Sequence, residues 1–192
     1  MIAPTVTGLQ PFRWNVQLFH QLGDLGVFRG RRAKLIRGTL LEQGMMNPPH
    51  AIAGEKSEEA LRAAFGPGWR VRVQKPLVLG QDTDPEPDIA VIRGTPGPLV
   101  HPTTAALVVE IADTTLTADI TEMAEVYATA GIADYCVVDV DGRRLLVFRD
   151  PVPLPQGLGG SAYRTHLTFG AGDSVSPLAV PTAVVRVADL LP

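Results

Sequence analysis

Lysine is scarce in this chain: of 17 basic residues, only Lys34, Lys56 and Lys75 are lysines, and the rest are arginine. Cysteine is scarcer. Cys136 stands alone, which excludes a disulfide within the chain and agrees with a reducing compartment. No apolar run approaches the roughly 18 residues that a membrane-spanning helix requires. The opening MIAPTVTGLQPFRWN lacks the charged segment followed by an apolar segment that marks a secretory signal. These absences predict a cytoplasmic protein with no membrane partner. Basic excess is missing too, with a net charge of −3 and a pI near 5.8. Proteins that hold nucleic acid by bulk attraction are usually basic, so any DNA binding here must come from local patches.

What is present is a core. At 192 residues and 45% hydrophobic content, the chain fits one domain of ordinary size. Residues 1–13 carry two prolines and little pattern, which predicts a flexible arm before a single domain over 14–192. Val16, Phe19 and Leu22 have helical spacing ahead of Gly23 and Gly26. Lys34–Leu41 reads as a hairpin of short strands around Gly38. Asn47-Pro48-Pro49 can cap and open a helix through Phe65, and Trp69–Leu79 alternates as a strand. Asp88–Arg93, Ala105–Ala112 and Ala133–Val140 read as strands. Ala118–Ala130 reads as a helix that turns Ile120, Met123, Ala124 and Tyr127 to one face, with Gly131 as its stop. Asp141-Gly142 signals a hairpin turn into Arg144–Arg149. Ala162–Phe169 and Ala183–Val187 read as peripheral strands.

Two acids break this pattern. Asp88 opens one apolar run and Glu110 interrupts another, VVEIA. Carboxylates are normally excluded from buried strands, and two of them on adjacent strands would make a site for a hard cation such as Mg²⁺. Plainer readings stand beside this one. Asp88 alone fits a turn acid, and Glu110 fits a structural ion pair with an arginine. Asp113 and Asp119 read as helix caps or surface acids. Tyr127 and Tyr135 read as core residues with hydroxyls in water, and Cys136 as a buried, inert thiol. His50 reads as a surface or capping residue, because no acid or cysteine stands at ligand spacing. Arg29, Arg31, Arg32, Lys34 and Arg37 form a basic cluster. Such clusters more often keep a sheet edge soluble than contact phosphate, and Arg31, Arg32 and Lys34 are the candidates for the second role.

The chain resembles a bacterial family of restriction endonucleases, the Uma type, built on the PD-(D/E)XK nuclease core. The resemblance rests on Pro87-Asp88, the run Val108-Val109-Glu110-Ile111-Ala112-Asp113, Asp119, Tyr127-Ala128, Ala130-Gly131-Ile132, Tyr135 and Val137-Val138-Asp139. It implies an α/β (α+β) restriction-endonuclease-like core, a mixed central sheet flanked by helices with an antiparallel periphery. It also implies metal-dependent DNA hydrolysis. Asp88 and Glu110 would be catalytic and would hold Mg²⁺ or Mn²⁺ with the backbone carbonyl of Ile111. Many nucleases of this superfamily act as dimers, so a homodimer is expected by analogy.

The chain departs from the family pattern at its cations. The lysine that commonly follows the Glu by two residues is Ala112 here. In the Uma type a lysine instead lies on the next helix, four residues after the Asp and four before the Tyr. That position is Met123, which carries no charge and donates no hydrogen bond. A Glu that typically precedes the Leu-Ile pair of the first hairpin is replaced by Lys34. The rival reading is therefore an inactive nuclease fold acting as a nucleic-acid-binding or oligomeric module.

Overall fold

The computed structural model describes residues 10–97 and 100–192. Most of the expected arm, residues 1–9, and Pro98-Leu99 of the proline-rich loop lie outside the described residues. A short helix α1 (Val16–Asp24) is capped by the Asn15 side chain, which accepts from Leu18 N at 2.8 Å. The hairpin β1 (Ala33–Ile36) and β2 (Thr39–Glu42) turns at Arg37-Gly38, both with positive φ. Helix α2 (Pro48–Phe65) begins as expected, with Asn47 accepting from His50 N at 3.1 Å and two prolines in its first turn, where amide hydrogens have no helical acceptor.

The body is a six-stranded sheet: β3 (Trp69–Val73), β4 (Ile89–Arg93), β5 (Leu107–Ala112), β6 (Asp134–Asp139), β7 (Arg144–Pro153) and β8 (Ser161–Gly170), side by side in that order. Only β5 and β6 run parallel. The crossover between them is a continuous helix, α3 (residues 116–129). Its two α-helical ends, Leu116–Ala118 and Ala124–Thr129, flank a π-helical stretch, Asp119–Met123. Gly131 ends α3 at φ 75°: its amide donates to Ala128 O, and that of Ile132 to Tyr127 O, each at 3.0 Å. These are the two bonds of a glycine-terminated helix end.

One sheet face packs Val71, Ile89, Val91, Val109 and Ile111 against α2, while the other packs Ala90, Val108, Tyr135 and Val137 against α3. The mixed sheet with helices on both faces is the expected core. A two-stranded ribbon of β9 (Ser174–Val175) and β10 (Val185–Arg186) lies outside it. Asp134 and Arg149 fasten the chain after β8 to the sheet. Asp134 is fully buried, pairs with Arg149 Nε at 2.7 Å and accepts from Leu178 N, while Arg149 also donates to Ser176 O.

Several boundaries differ from the sequence reading. The strand expected over Trp69–Leu79 stops at Val73, because Gln74 takes φ 48° and turns its amide to Asp88 O. The turn expected at Asp141-Gly142 is a four-residue connection between Asp139 and Arg144, in which Asp139 Oδ1 accepts from Gly142 N at 2.8 Å. Replacing Asn47 by Ala is expected to cost about 1 kcal/mol of stability, the usual value of a lost cap, read as a lower urea midpoint at unchanged slope. Among the described residues, no helix is long and apolar enough to cross a membrane.

Candidate active site

Asp88 immediately precedes β4 and Glu110 lies in mid-β5, and these two strands pair antiparallel. Both residues are 5% exposed. They are locked to each other's backbone. Asp88 N donates to Glu110 Oε2 at 3.0 Å, and Ile111 N donates to Asp88 Oδ2 at 2.9 Å. The sheet period explains the convergence. Glu110 shares its face with Val108, which packs under α3, and Asp88 shares its face with Ala90. From α3, Tyr127 donates its hydroxyl to Glu110 Oε1 at 2.6 Å. An arginine partner for Glu110, one of the plainer readings, is not what the structure provides.

Two further residues enter that the sequence reading placed elsewhere, and Gln74 joins them. His50, expected at the surface, is largely buried on α2 with Nε2 3.2 Å from Asp88 Oδ1, a close polar contact rather than an aligned hydrogen bond. The Asn47 cap sets its position in the first turn of α2. Asp119, expected as a cap or surface acid, is 8% exposed; it accepts from Thr115 Oγ1 at 2.6 Å, and its carbonyl accepts from Tyr135 OH at 3.0 Å. The π-helical stretch carries it inward, and such insertions often accompany functional sites. The hydroxyls of Tyr127 and Tyr135 are therefore buried and bonded, not in water. Gln74 donates to Asp88 Oδ1 at 3.4 Å, at the margin of hydrogen bonding.

The electrostatics follow from burial. Burial and then the neighbouring charge of Asp88 push Glu110 up to about 8, against the smaller opposing effects of Lys34 and the Tyr127 hydrogen bond. Burial also acts to raise Asp88, but His50, the Ile111 amide and Lys34 together hold it below its ordinary value. Asp119 rises to about 6, first through burial, with Thr115 opposing and the charge of Asp88 adding. One cation recurs in all three: Lys34, on the hairpin. Backbone bonds hold that hairpin to the loop before Asp88, with Leu35 and Asp84 exchanging N–H···O contacts at 3.4 and 2.7 Å and Gly38 N donating to Asp82 O at 2.8 Å.

The remaining candidates separate. Met123 is half-buried, against the α3-side core. Arg93 lies 5.8 Å over the Trp69 ring, away from the acids. Arg31 is exposed and pairs with Glu42 at 3.8 Å, and Arg32 is half-buried. Asp113 accepts from the Asn47 amide. Cys136 is buried, which raises its thiol well above the usual range. Among the described residues, no three His, Cys, Asp or Glu side chains converge at metal-binding distances. Two carboxylates and backbone carbonyls nevertheless suit a hard cation that keeps some of its own waters. Burial and the neighbouring charge of Asp88 raise Glu110, and a divalent ion beside the pair would oppose both.

No curated protein matches the chain. Among solved structures, it is similar to a crystal structure of a putative nuclease belonging to DUF820 from Anabaena variabilis. The TM-score is 0.61 at 16% identity, covering 82% of this chain and 88% of that one. That likeness speaks for the fold: a restriction-endonuclease-like core. Residues 16–188 match the family model Uma2, described as putative restriction endonuclease, and the chain belongs to that family.

Proposed function

We propose that the protein hydrolyses phosphodiester bonds of DNA with a divalent metal, Mg²⁺ or Mn²⁺, held by Asp88, Glu110 and the Ile111 carbonyl. The observation that carries this reading is the reciprocal locking of two buried carboxylates on adjacent strands, one of them raised by burial and by the charge of the other. When bound, the metal would lower the pKa of a water and neutralise charge on the phosphate and leaving oxygen. Asp88 and Glu110 set its position, because their hydrogen bonds to Ile111 N and Asp88 N fix both side chains before any ligand arrives. Tyr127 fixes the second Glu110 oxygen and keeps that carboxylate from rotating. His50 holds the free oxygen of Asp88.

Met123 leaves the helix without the usual ammonium. Lys34 brings one from the hairpin side, close enough to influence Asp88, Glu110 and Asp119, and with Arg31 and Arg32 it would meet the phosphates. The same Met123 supports the alternative, an inactive fold that binds nucleic acid or itself without turnover. A homodimer would supply two sites for two strands. Light scattering checks it, since a single species near the 20.5 kDa of one chain at working concentration would dismiss the dimer.

The test is supercoiled plasmid incubated with Mg²⁺, with Mn²⁺ and with chelator, for the native protein and Asp88→Ala. Nicking that requires metal and disappears in Asp88→Ala is the expected result. Nicking that persists in Asp88→Ala would place the activity elsewhere. Silence of the native protein under every condition would favour the inactive reading.

A further inference from the structure

A groove of about 520 Å³ runs along the outer edge of β3, outside the acid cluster. Its lining includes Arg62, Arg70, Arg72 and Lys75, with no Asp or Glu among the lining residues. Arg93 lies over the ring of Trp69, itself a lining residue. Only Arg62 is neutralised, by Glu58 at 2.6 Å. Among the described residues, no carboxylate lies within ion-pair distance of Arg70, Arg72 or Lys75. Arg72 is half-buried with its Nε unpartnered, while its outer nitrogen donates to Pro76 O at 3.1 Å. A protein of net charge −3 thus concentrates cations in one channel. In the hairpin cluster two of the five cations are paired, Arg31 with Glu42 and Arg37 with Glu125.

The strand register ties this channel to the site. Arg72 pairs with Ala90 and Arg70 with Ile92, so both arginines lie on the sheet face that carries Asp88 and Glu110. Gln74, just past the end of β3, reaches Asp88. Arg70 and Arg72 stand two residues apart, about 6.6 Å along extended chain, a separation comparable to that of neighbouring phosphates on one strand. Arginine forks match phosphate oxygens.

We propose that the β3 groove binds the phosphate backbone of DNA and leads it to Asp88 and Glu110. This rests on the nuclease reading and adds to it the surface that holds the substrate. The contacts involve backbone phosphate and carry no sequence information.

Arg70 and Lys75 are exposed, so both can be changed without opening the core. The experiment measures anisotropy of a labelled 20-base-pair duplex with Ca²⁺ across a salt series, for native protein, Arg70→Ala/Lys75→Ala, Arg70→Lys and Arg164→Ala. Removing two phosphate contacts is expected to flatten the slope of log K against log salt by about 2. Arg70→Lys keeps the charge and is expected to keep the slope. Arg164→Ala, on β8, is expected to match native protein. An unchanged slope in the double variant would overturn the groove as the DNA path. If that variant also nicks plasmid as the native protein does, the nuclease reading stands without the groove. A native protein that neither binds the duplex nor nicks plasmid would remove both.

Discussion

Met123→Lys is expected to raise the rate of Mg²⁺-dependent plasmid nicking by roughly 10²–10³-fold, the usual value of one well-placed stabilising donor. Met123 lies four residues before Tyr127 on one continuous helix, and residues so spaced share a face. Tyr127 already touches Glu110 from that face. A lysine stem leaving position 123 would cover the same half-buried surface as the thioether and carry its ammonium onward to the acids. A cation there would oppose the burial and the carboxylate neighbours that raise Glu110 to about 8 and Asp119 to about 6. Lys34 sets the counter-test. If it already supplies the missing charge, Lys34→Met should lower nicking by a similar factor, and Lys34→Met/Met123→Lys should recover it. Equal rates in native protein, Met123→Lys and Lys34→Met would show that neither position serves the reaction.

Without metal, the protein is expected to lose stability as pH rises from about 4.5 toward 8. An unfolded Glu releases its proton near 4.5, whereas folded Glu110 holds it to about 8. In that interval only the native state carries the proton. Its stabilising effect is complete below 4.5 and is lost as pH climbs through the folded value. The slope approaches 1.4 kcal/mol per pH unit, or about 3–6 °C in Tm for a chain of this size. Asp119, raised to about 6, acts in the same direction over the lower part of the interval. Asp88 acts oppositely: its lowered pKa gives stability that is lost only on acidification through its folded value. Glu110→Gln removes the main titration while its carbonyl still accepts from Asp88 N and its amide can donate to the Tyr127 oxygen. In chelator, the variant is expected to melt above native protein at pH 8 and to converge with it near pH 5. Added Mg²⁺ should raise the native melting temperature at pH 8 and leave that of Glu110→Gln nearly unmoved. Parallel melting curves across the whole pH range would contradict a buried Glu110 with a raised pKa.

Much of the fold was readable because its signals are local. Asn47 and its prolines, the alternation at Trp69, and Gly131 each act within a few residues, and the corresponding elements stand where those signals lie. The pairing of Asp88 with Glu110 was readable because an acid inside an apolar strand has few stable surroundings. His50 was missed because nothing adjacent in sequence marks it, and Asp119, one of the residues that carry the resemblance, was read as a cap or surface acid. His50 reaches Asp88 only once α2 packs across the sheet end. Asp119 turns inward through a π-helical insertion, which changes the helical phase without any glycine or proline to announce it. The position of Lys34 is likewise set by long-range backbone bonds from Leu35 and Gly38 to the loop at Asp82–Asp84.

Cys136 lies on β6, paired with Val109 on one side and Val147 on the other, in the middle of the sheet. Being the chain's sole thiol, it gives the protein a native clock. A thiol reagent can reach it only when the layer over its sheet face, α2 and the segment after β8, lifts away, so the labelling rate multiplies the opening equilibrium by the intrinsic reactivity of a free cysteine. Fraying of α1 or the β1–β2 hairpin leaves that rate untouched. Fraying at that end of the molecule and opening of the layer over Cys136 are therefore separable in the unmodified chain, with no probe engineered into it.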